Sequence, residues 1–347
     1  MSSANLDSAD LKGVAFGGLI NEDVMQKIWD ISQIPLPFTD SIGSGSAKQE
    51  YKEWTRDELA APDLTNAVID GSDATGNDTA TGDRVGNHHQ ISQKVVRVST
   101  RAQESDTIGR ANELAYQVMR RQQELKRDVE AIALSNQASL ADTGSAAGTT
   151  GGFPAWIETT AYHGAVTGAD GGFNTSTGVV DARTVGNHRG LTEELVRDVV
   201  EGVYQEGGDP TKLMSTPSVI RKFSEYMFTS SARVGTLMSD QGKSTEKATA
   251  LGAVNVFVTD FGTLTMVPNR LQQTYTSNDA TTVADVFIYD PEYVSLCYLH
   301  GYRTEPLAKT GLADNRMMNV DWALVVNTEK AHGLIGDVNP ATAVTSS

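Results

Sequence analysis

The sequence predicts an α+β fold built along one long helix, and three observations carry that reading. The stretch Glu104–Asp142 contains no proline and a single glycine, Gly109, and its apolar residues recur at helical spacing. Before it lies a long acidic, glycine-rich excursion, too poor in apolar residues to build its own core. After it, short helical patterns are interleaved with period-two apolar runs, a mixture that places helices and strands in the same part of the chain.

Composition sets the outer limits. At 347 residues the chain can hold two domains or one large one. Its 44 acidic and 28 basic residues leave a net charge of −16, a poor balance for wrapping nucleic acid, because phosphate contact requires a basic surface. Cys297 is the only cysteine, so an intramolecular disulfide and a multi-cysteine zinc site are both excluded, and a reducing compartment suits the chain. The opening MSSANLDSADLKG has neither a basic nor an apolar signal region, and nowhere do eighteen apolar residues run together. A secretion signal and a membrane span are therefore not expected.

Near the N-terminus, Asn21 can cap a short helix, with Glu22 and Asp23 in its first turn and Ile20 stapled against Met25. Val24, Ile28 and Ile31 form its stripe, which ends before Pro35 and Pro37. Flanked by loose chain, this helix packs either on its own core or on a neighbouring subunit. From Ser41 to Ala102, strand-like arms around Ala47–Thr55 and Ile91–Thr100 enclose the acidic excursion. Val96 and Val98 share one face of the second arm. Between Glu50 and Gln90 stand nine acids and three bases, and a hairpin reaching away from the body fits this composition best.

The central stretch reads as a spine. Leu114, Val118, Leu125, Val129 and Ile132 recur at three- and four-residue steps, with Arg120, Arg121, Lys126 and Arg127 between them. A helix over Ser105–Gln137 spans about 50 Å at roughly 1.5 Å per residue. Arg120 with Glu124 and Lys126 with Glu130 are expected as one-turn pairs.

Downstream, SLADTGSAAGTTGGFPAW and His163–Gly190 read as loose chain. LTEELVRDVVEGVYQEGG predicts a helix capped by Thr192, striped by Leu195, Val199 and Val203, and ended by Gly207 and Gly208. A strand at Lys212–Ser215 leads to a helix opened by Pro217. Val254–Thr259 and Leu264–Val267 pair across a turn near Phe261-Gly262. Val283–Tyr289 and Tyr293–Leu299 are broken at Asp290-Pro291, and Val320, Trp322, Leu324 and Val326 alternate on a last strand.

Catalytic signatures are missing. No GxxxxGK[ST], GxSxG or HExxH occurs, and no catalytic or cofactor-binding residue is assigned. His88, His89 and His188 lie in or beside two VGNH repeats, Val85–His88 and Val185–His188, but lack a carboxylate or cysteine at ligand spacing. They read as glycine-asparagine turns, not a metal site. Asp70, Asp73 and Asp78 lack the glycine and glutamate of a calcium loop and read as a solvated tip. Cys297 reads as a buried small hydrophobe. The cluster Arg120, Arg121, Lys126 and Arg127 reads as the solvated face of the spine, with contact to an acidic partner as the alternative.

Four stretches, EWTRDELAAPDLTNAVIDGSDA, RVGNHHQISQKVVRVS, GRANELAYQVMRRQQELKRDVEAIALSNQAS and NVDWALVVNTEKAHGLIGDV, carry a resemblance. They are similar to major capsid proteins of tailed bacteriophages with the Hong Kong 97-type fold, in the branch found in short-tailed and related phages. The resemblance runs from about residue 45 to 338. It implies an N-terminal arm (1–46), an extended loop (47–100), and a spine helix with the first part of a peripheral domain (101–180). An axial domain (181–300), returning peripheral strands (301–338) and a C-terminal tail (339–347) complete the expected division. It further implies a non-enzymatic subunit that assembles with itself, as hexamers and pentamers, into an icosahedral shell around double-stranded DNA without sequence-specific binding, cofactor or membrane. The virion is its expected place, after assembly in the bacterial host cytoplasm, with a portal and a decoration protein as further partners. Some members carry a scaffolding segment ahead of the arm; here Met1 stands only some forty residues before the loop, so a separate scaffolding protein is expected. A nanocompartment shell, a tail or receptor-binding protein and an uncharacterised hydrolase are the competing classes. Some capsids of this fold weld neighbours through an extended-loop lysine, yet no lysine lies between Lys52 and Lys94.

Overall fold

The computed structural model describes residues 35–73, 76, 82–105, 112–229, 255–309 and 311–345. The helices are α1 (Thr100–Glu104), α2 (Glu113–Ala133), α3 (Phe153–Trp156), α4 (Glu193–Gln205) and α5 (Pro217–Thr229). The strands are β1 (Gly43–Ser46), β2 (Tyr51–Arg56), β3 (Asp83–His88), β4 (Gln90–Ser99), β5 (Ala161–Tyr162), β6 (Gly172–Asn174), β7 (Val179–Asp181) and β8 (Lys212–Ser215). They continue as β9 (Val256–Thr259), β10 (Gly262–Pro268), β11 (Tyr275–Thr276), β12 (Thr282–Tyr289), β13 (Val294–Pro306), β14 (Ala313–Val326) and β15 (His332–Val338). The helix expected at Asn21–Gln33 lies outside the described residues.

The spine is α2, and it is shorter than its periodicity suggests. Asn112 caps it by accepting from the Ala115 amide, and its 21 residues span about 32 Å at roughly 1.5 Å each. Its C-terminal end comes at Leu134 instead of Gln137, because Ser135 and Asn136 offer the backbone other partners. Ser135 Oγ donates to the Ile132 carbonyl, and the Asn136 side chain bonds both N–H and C=O of Arg183. Leu125, Val129 and Ala133 press onto one face of a four-stranded sheet ordered β1-β13-β14-β4. Val96, Val98, Met318, Val320, Trp322 and Leu324 meet them there, as the period-two alternation requires.

The second sheet has seven strands, ordered β5-β15-β12-β8-β10-β9, with β11 paired to β12. It is covered on both sides, and β12 shows how: Phe287 and Tyr289 enter the core shared with the spine, while Val286 and Ile288 enter a second core. Helices α4 and α5 close that second core with Leu195, Val196, Val199, Val219 and Phe223. Thr192 caps α4 through the Leu195 amide, and Gly207, at φ 92°, ends it in a left-handed conformation that only glycine adopts freely. β13 straddles residue 300 and belongs to the spine-side sheet, whereas β15 joins the seven-stranded one.

Three local expectations are corrected. The first arm, around Ala47–Thr55, does hold β2, but the strand that closes the extended hairpin with it is β3, whereas the second arm, around Ile91–Thr100, is β4 and pairs with β14. The first VGNH is therefore strand, not turn. Its Asn87 is fully buried, donating to the carbonyls of Leu324 and Gly151 and accepting from the Gly151 amide. The stretch read as loose chain after the spine contributes Phe153 and Trp156, both buried, on the single turn of α3.

A buried ionic cluster ties the loop 163–190 to the second sheet. Arg183 donates to Asp285 at 2.7 Å and to Asp337 at 3.4 Å, and Tyr275 donates to both carboxylates. Burial opposes the charge on Arg183, but Asp285, Tyr275 and Asp337 hold its pKa above the ordinary arginine value. Asp337 itself stands at φ 61°, and the amides of Gly164 and Gly186 donate to its second oxygen at 3.0 Å, offsetting that strain.

Replacing Arg183 by leucine strands two carboxylates in the interior. A loss of about 3–5 kcal/mol is expected from urea unfolding of the subunit, or failure to stay soluble. An unchanged midpoint would show that the cluster contributes no net stability.

His332, fully buried beside Phe153, has its pKa pushed down from 6.5 to about 3 by burial. Below pH ~6.5 the unfolded chain takes up a proton that the folded chain refuses until pH ~3. Stability is therefore full above that window and falls with acidification across it by about 1.4 kcal/mol per pH unit. Burial lowers the pKa values of His88, His89 and His163 as well, in the same sense. Denaturant midpoints between pH about 6 and 4 should fall less steeply for His332→Leu than for the native chain; equal slopes would exclude the assignment.

Candidate assembly surfaces

The residues singled out for chemistry are not brought together. His88 packs against the Tyr51 ring with centroids 4.5 Å apart, His89 bonds Asp321 at 3.1 Å, and His188 pairs with Asp279. Asp279, at the surface, is held at a pKa of about 2, first by the Ser277 hydroxyl and then by His188. Among the described residues no three His, Cys, Asp or Glu side chains are placed to hold a metal ion. Asp70 and Asp73 are exposed, and Asp78 lies outside the described residues. Cys297 is buried in β13, and that burial raises its thiol pKa.

The basic cluster on the spine is divided among local partners. Arg121 pairs with Glu124, Arg120 lies over the Tyr116 ring and Lys126 over the Tyr302 ring. The expected Arg120–Glu124 and Lys126–Glu130 pairs do not form. Glu130 is unavailable because it is fully buried: its two oxygens accept from the Phe38 amide at 2.9 Å, the Thr39 amide at 2.8 Å and Asn269 Nδ2 at 2.7 Å. The chain at residues 38–39 is thereby fastened to the spine and to the end of β10.

Among the described residues the extended hairpin is fastened at its root. Tyr51 donates to the Gly178 carbonyl at 2.6 Å, Trp54 packs tilted against Trp156 and donates to the Asn327 carbonyl, and Lys330 bridges Glu58 and Glu206 at 2.8 and 2.9 Å. These anchors were not read from the sequence. Tyr51 and Trp54, two large aromatics in a charged strand, were the available signal.

Beyond Glu58 the described loop has no cover. Leu59, Leu64, Val68 and Ile69 are 99%, 96%, 84% and 82% exposed, among Asp57, Glu58, Asp63, Asp70 and Asp73. Isolated exposed leucines are ordinary, but four on one coreless excursion mark a surface that something else buries. Asp63 accepts from both the amide and the hydroxyl of Thr65, which lowers its pKa and fixes a local turn.

Comparisons with known proteins agree with this architecture. Over 108 residues the chain is 39% identical to the major capsid protein of Escherichia phage Phieco32, a match spanning 31% of each protein's length. The capsid of a native GTA particle is similar with a TM-score of 0.58 at 12% identity, over 96% of this chain and 100% of that one. The capsid of Myoviridae phage XM1 gives 0.54 at 12% identity, over 92% and 99%. The SrpI encapsulin of Synechococcus elongatus PCC 7942 gives 0.55 at 11%, over 98% of both. At such identities these likenesses establish the fold, which is that of tailed-phage capsid subunits. The model of the SU10 major capsid protein family matches residues 6–339. By that match, over nearly its whole length, the chain belongs to the SU10 major capsid protein family.

Proposed function

We propose that this chain is the structural subunit of a phage head, assembling with copies of itself as hexamers and pentamers into an icosahedral shell around double-stranded DNA. The observation that carries the reading is the extended loop, which is rigidly rooted by Trp54 and Lys330 yet leaves its apolar side chains bare. A neighbouring subunit supplies the missing burial, and symmetry repeats each contact. The net charge of −16 suits a wall that encloses DNA without holding it.

In this reading residues 1–46 are the arm, 47–100 the extended loop, 101–180 and 301–338 the peripheral domain, 181–300 the axial domain and 339–347 the tail. The subunit is not an enzyme. It assembles in the cytoplasm of a bacterial host with a separate scaffolding protein, a portal and a decoration protein. The likeness to an encapsulin favours a nanocompartment as the second reading, but the family match favours the virion.

Three outcomes are expected. Electron micrographs of the purified protein show shells, tubes or rings; a monodisperse monomer would argue against a shell subunit. Replacing 59–70 by a short Gly-Ser linker leaves a subunit that unfolds cooperatively but forms no particles, and a native particle yield would remove the loop from assembly. With no lysine between Lys52 and Lys94 to form a covalent weld, boiled particles run on a denaturing gel as a single monomer band. A ladder resistant to detergent and reductant would overturn that expectation.

A further inference from the structure

Backbone strain is gathered at one end of the seven-stranded sheet. Among the described residues, the non-glycine residues at positive φ are Val166 at 83°, Ala280 at 61° and Asp337 at 61°. Hydrogen bonds join their loops into one cluster. The Asn187 amide donates to the Ala165 carbonyl at 3.2 Å, the Asn278 amide to the Gly186 carbonyl at 3.0 Å, and the amides of Gly164 and Gly186 to Asp337. Val166 is the most strained of the three, because a β-branched side chain crowds its own backbone in the left-handed region. It is also 83% exposed, so packing does little to offset that strain. The loop 163–170 must therefore be held shut from its base, where His163 stands.

Its neighbours fix the protonation of the His163 ring. Arg183 Nη1, which can only donate, lies 3.4 Å from Nδ1, and an Asp170 carboxylate oxygen, which accepts, lies 2.8 Å from Nε2. Nδ1 therefore holds the lone pair and Nε2 the hydrogen, so the ring that fits is neutral. A second proton can enter only at Nδ1, where it meets a guanidinium head-on. That guanidinium cannot turn aside, because Arg183 is fully buried and its other contacts go to Asp285, Asp337 and Tyr275. Nor is there space to separate the two: a Cβ at Gly336 would come within 3.0 Å of Arg183 Nη1 and 3.1 Å of His163 Nδ1. The other charged groups around His163 are Asp170 from its own loop, Asp337 from β15, and Arg189, whose Nη1 donates to the His163 carbonyl at 2.9 Å. The two carboxylates favour a charged ring, but burial first and Arg183 second outweigh them and lower its pKa. Asp170 is half exposed, which gives solvent protons a route to the ring.

We propose that His163 is an acid-released latch: its neutral ring closes loop 163–170 onto Arg183, and a proton taken from solvent at Nδ1 breaks that contact and lets the loop open. The device belongs to the single subunit and does not rest on the shell reading. In the open loop the ring returns to its ordinary pKa of 6.5, so opening becomes easier below that value, by up to about tenfold per pH unit. Hydrogen exchange on the full-length chain, corrected for the intrinsic effect of pH on amide rates, tests this. Protection of 163–170 and 184–188, taken relative to the amides of α4, should fall by about fivefold or more between about pH 7 and 5. Protection unchanged over that range would overturn the proposal. His163→Gln keeps an acceptor for Arg183 and a donor for Asp170 but takes up no proton, so its loop should stay protected at the lower pH. His188, paired with Asp279 in the same cluster, is the rival group, and His188→Gln should retain the native fall. A fall of native size in His163→Gln, or its disappearance in His188→Gln, would equally overturn the assignment.

Discussion

One buried carboxylate holds three parts of the molecule in a fixed relation. Glu130 sits on the spine, accepts two successive amides from residues 38 and 39, and accepts a third bond from Asn269 at the end of β10. An unpaired carboxylate costs several kcal/mol in such a place, so its donors cannot move independently without leaving it stranded. Phe38, held by this bond, packs against Phe153 and Tyr289, and Tyr289 carries β12 into the same core. The spine, the chain at residues 38–39 and the second sheet are therefore one unit, and the loop root is mounted on it through Trp54 and Trp156.

The two cores divide the labour. The seven-stranded sheet is apolar on both faces because it lies between the spine-side core and the α4–α5 core, and β12 is buried at seven successive positions as a result.

What was legible in the sequence was local. Thr192 with Leu195, Val199 and Val203 lies within one helix, and Val320 to Val326 within one strand, so periodicity and capping alone specified them. The resemblance supplied the fold family. What was not legible depended on distant partners. Glu130 looked like the far end of a surface pair because its true partners stand 92, 91 and 139 residues away. Arg183 lay in apparently loose chain, and only Asp285 and Asp337, 102 and 154 residues on, make it structural. The strand β3 was hidden by Gly86 and Asn87, residues that ordinarily break strands, because its stability comes from Asn87 bonding across to Leu324 and Gly151. At its C-terminal end the spine overran by a turn for a related reason: Ser135 and Asn136 are tolerated by helical periodicity, but Ser135 bonds back to the Ile132 carbonyl and Asn136 is claimed by Arg183.

The short strand β1, Gly-Ser-Gly-Ser, lies parallel to the outer edge of β13 with all four residues exposed. With only two small serine side chains, it is held chiefly by main-chain bonds to β13, so it can be unzipped one bond at a time without breaking a packed apolar interface. Gly45 stands opposite Cys297, and a Cβ at Gly45 would come within 3.1 Å of the sulfur. The missing side chain makes room for the thiol, and the strand serves as its lid. The chain's single cysteine is thus a built-in chemical reporter of that strand, silent to alkylating reagents while β1 is seated and open to them once it peels away.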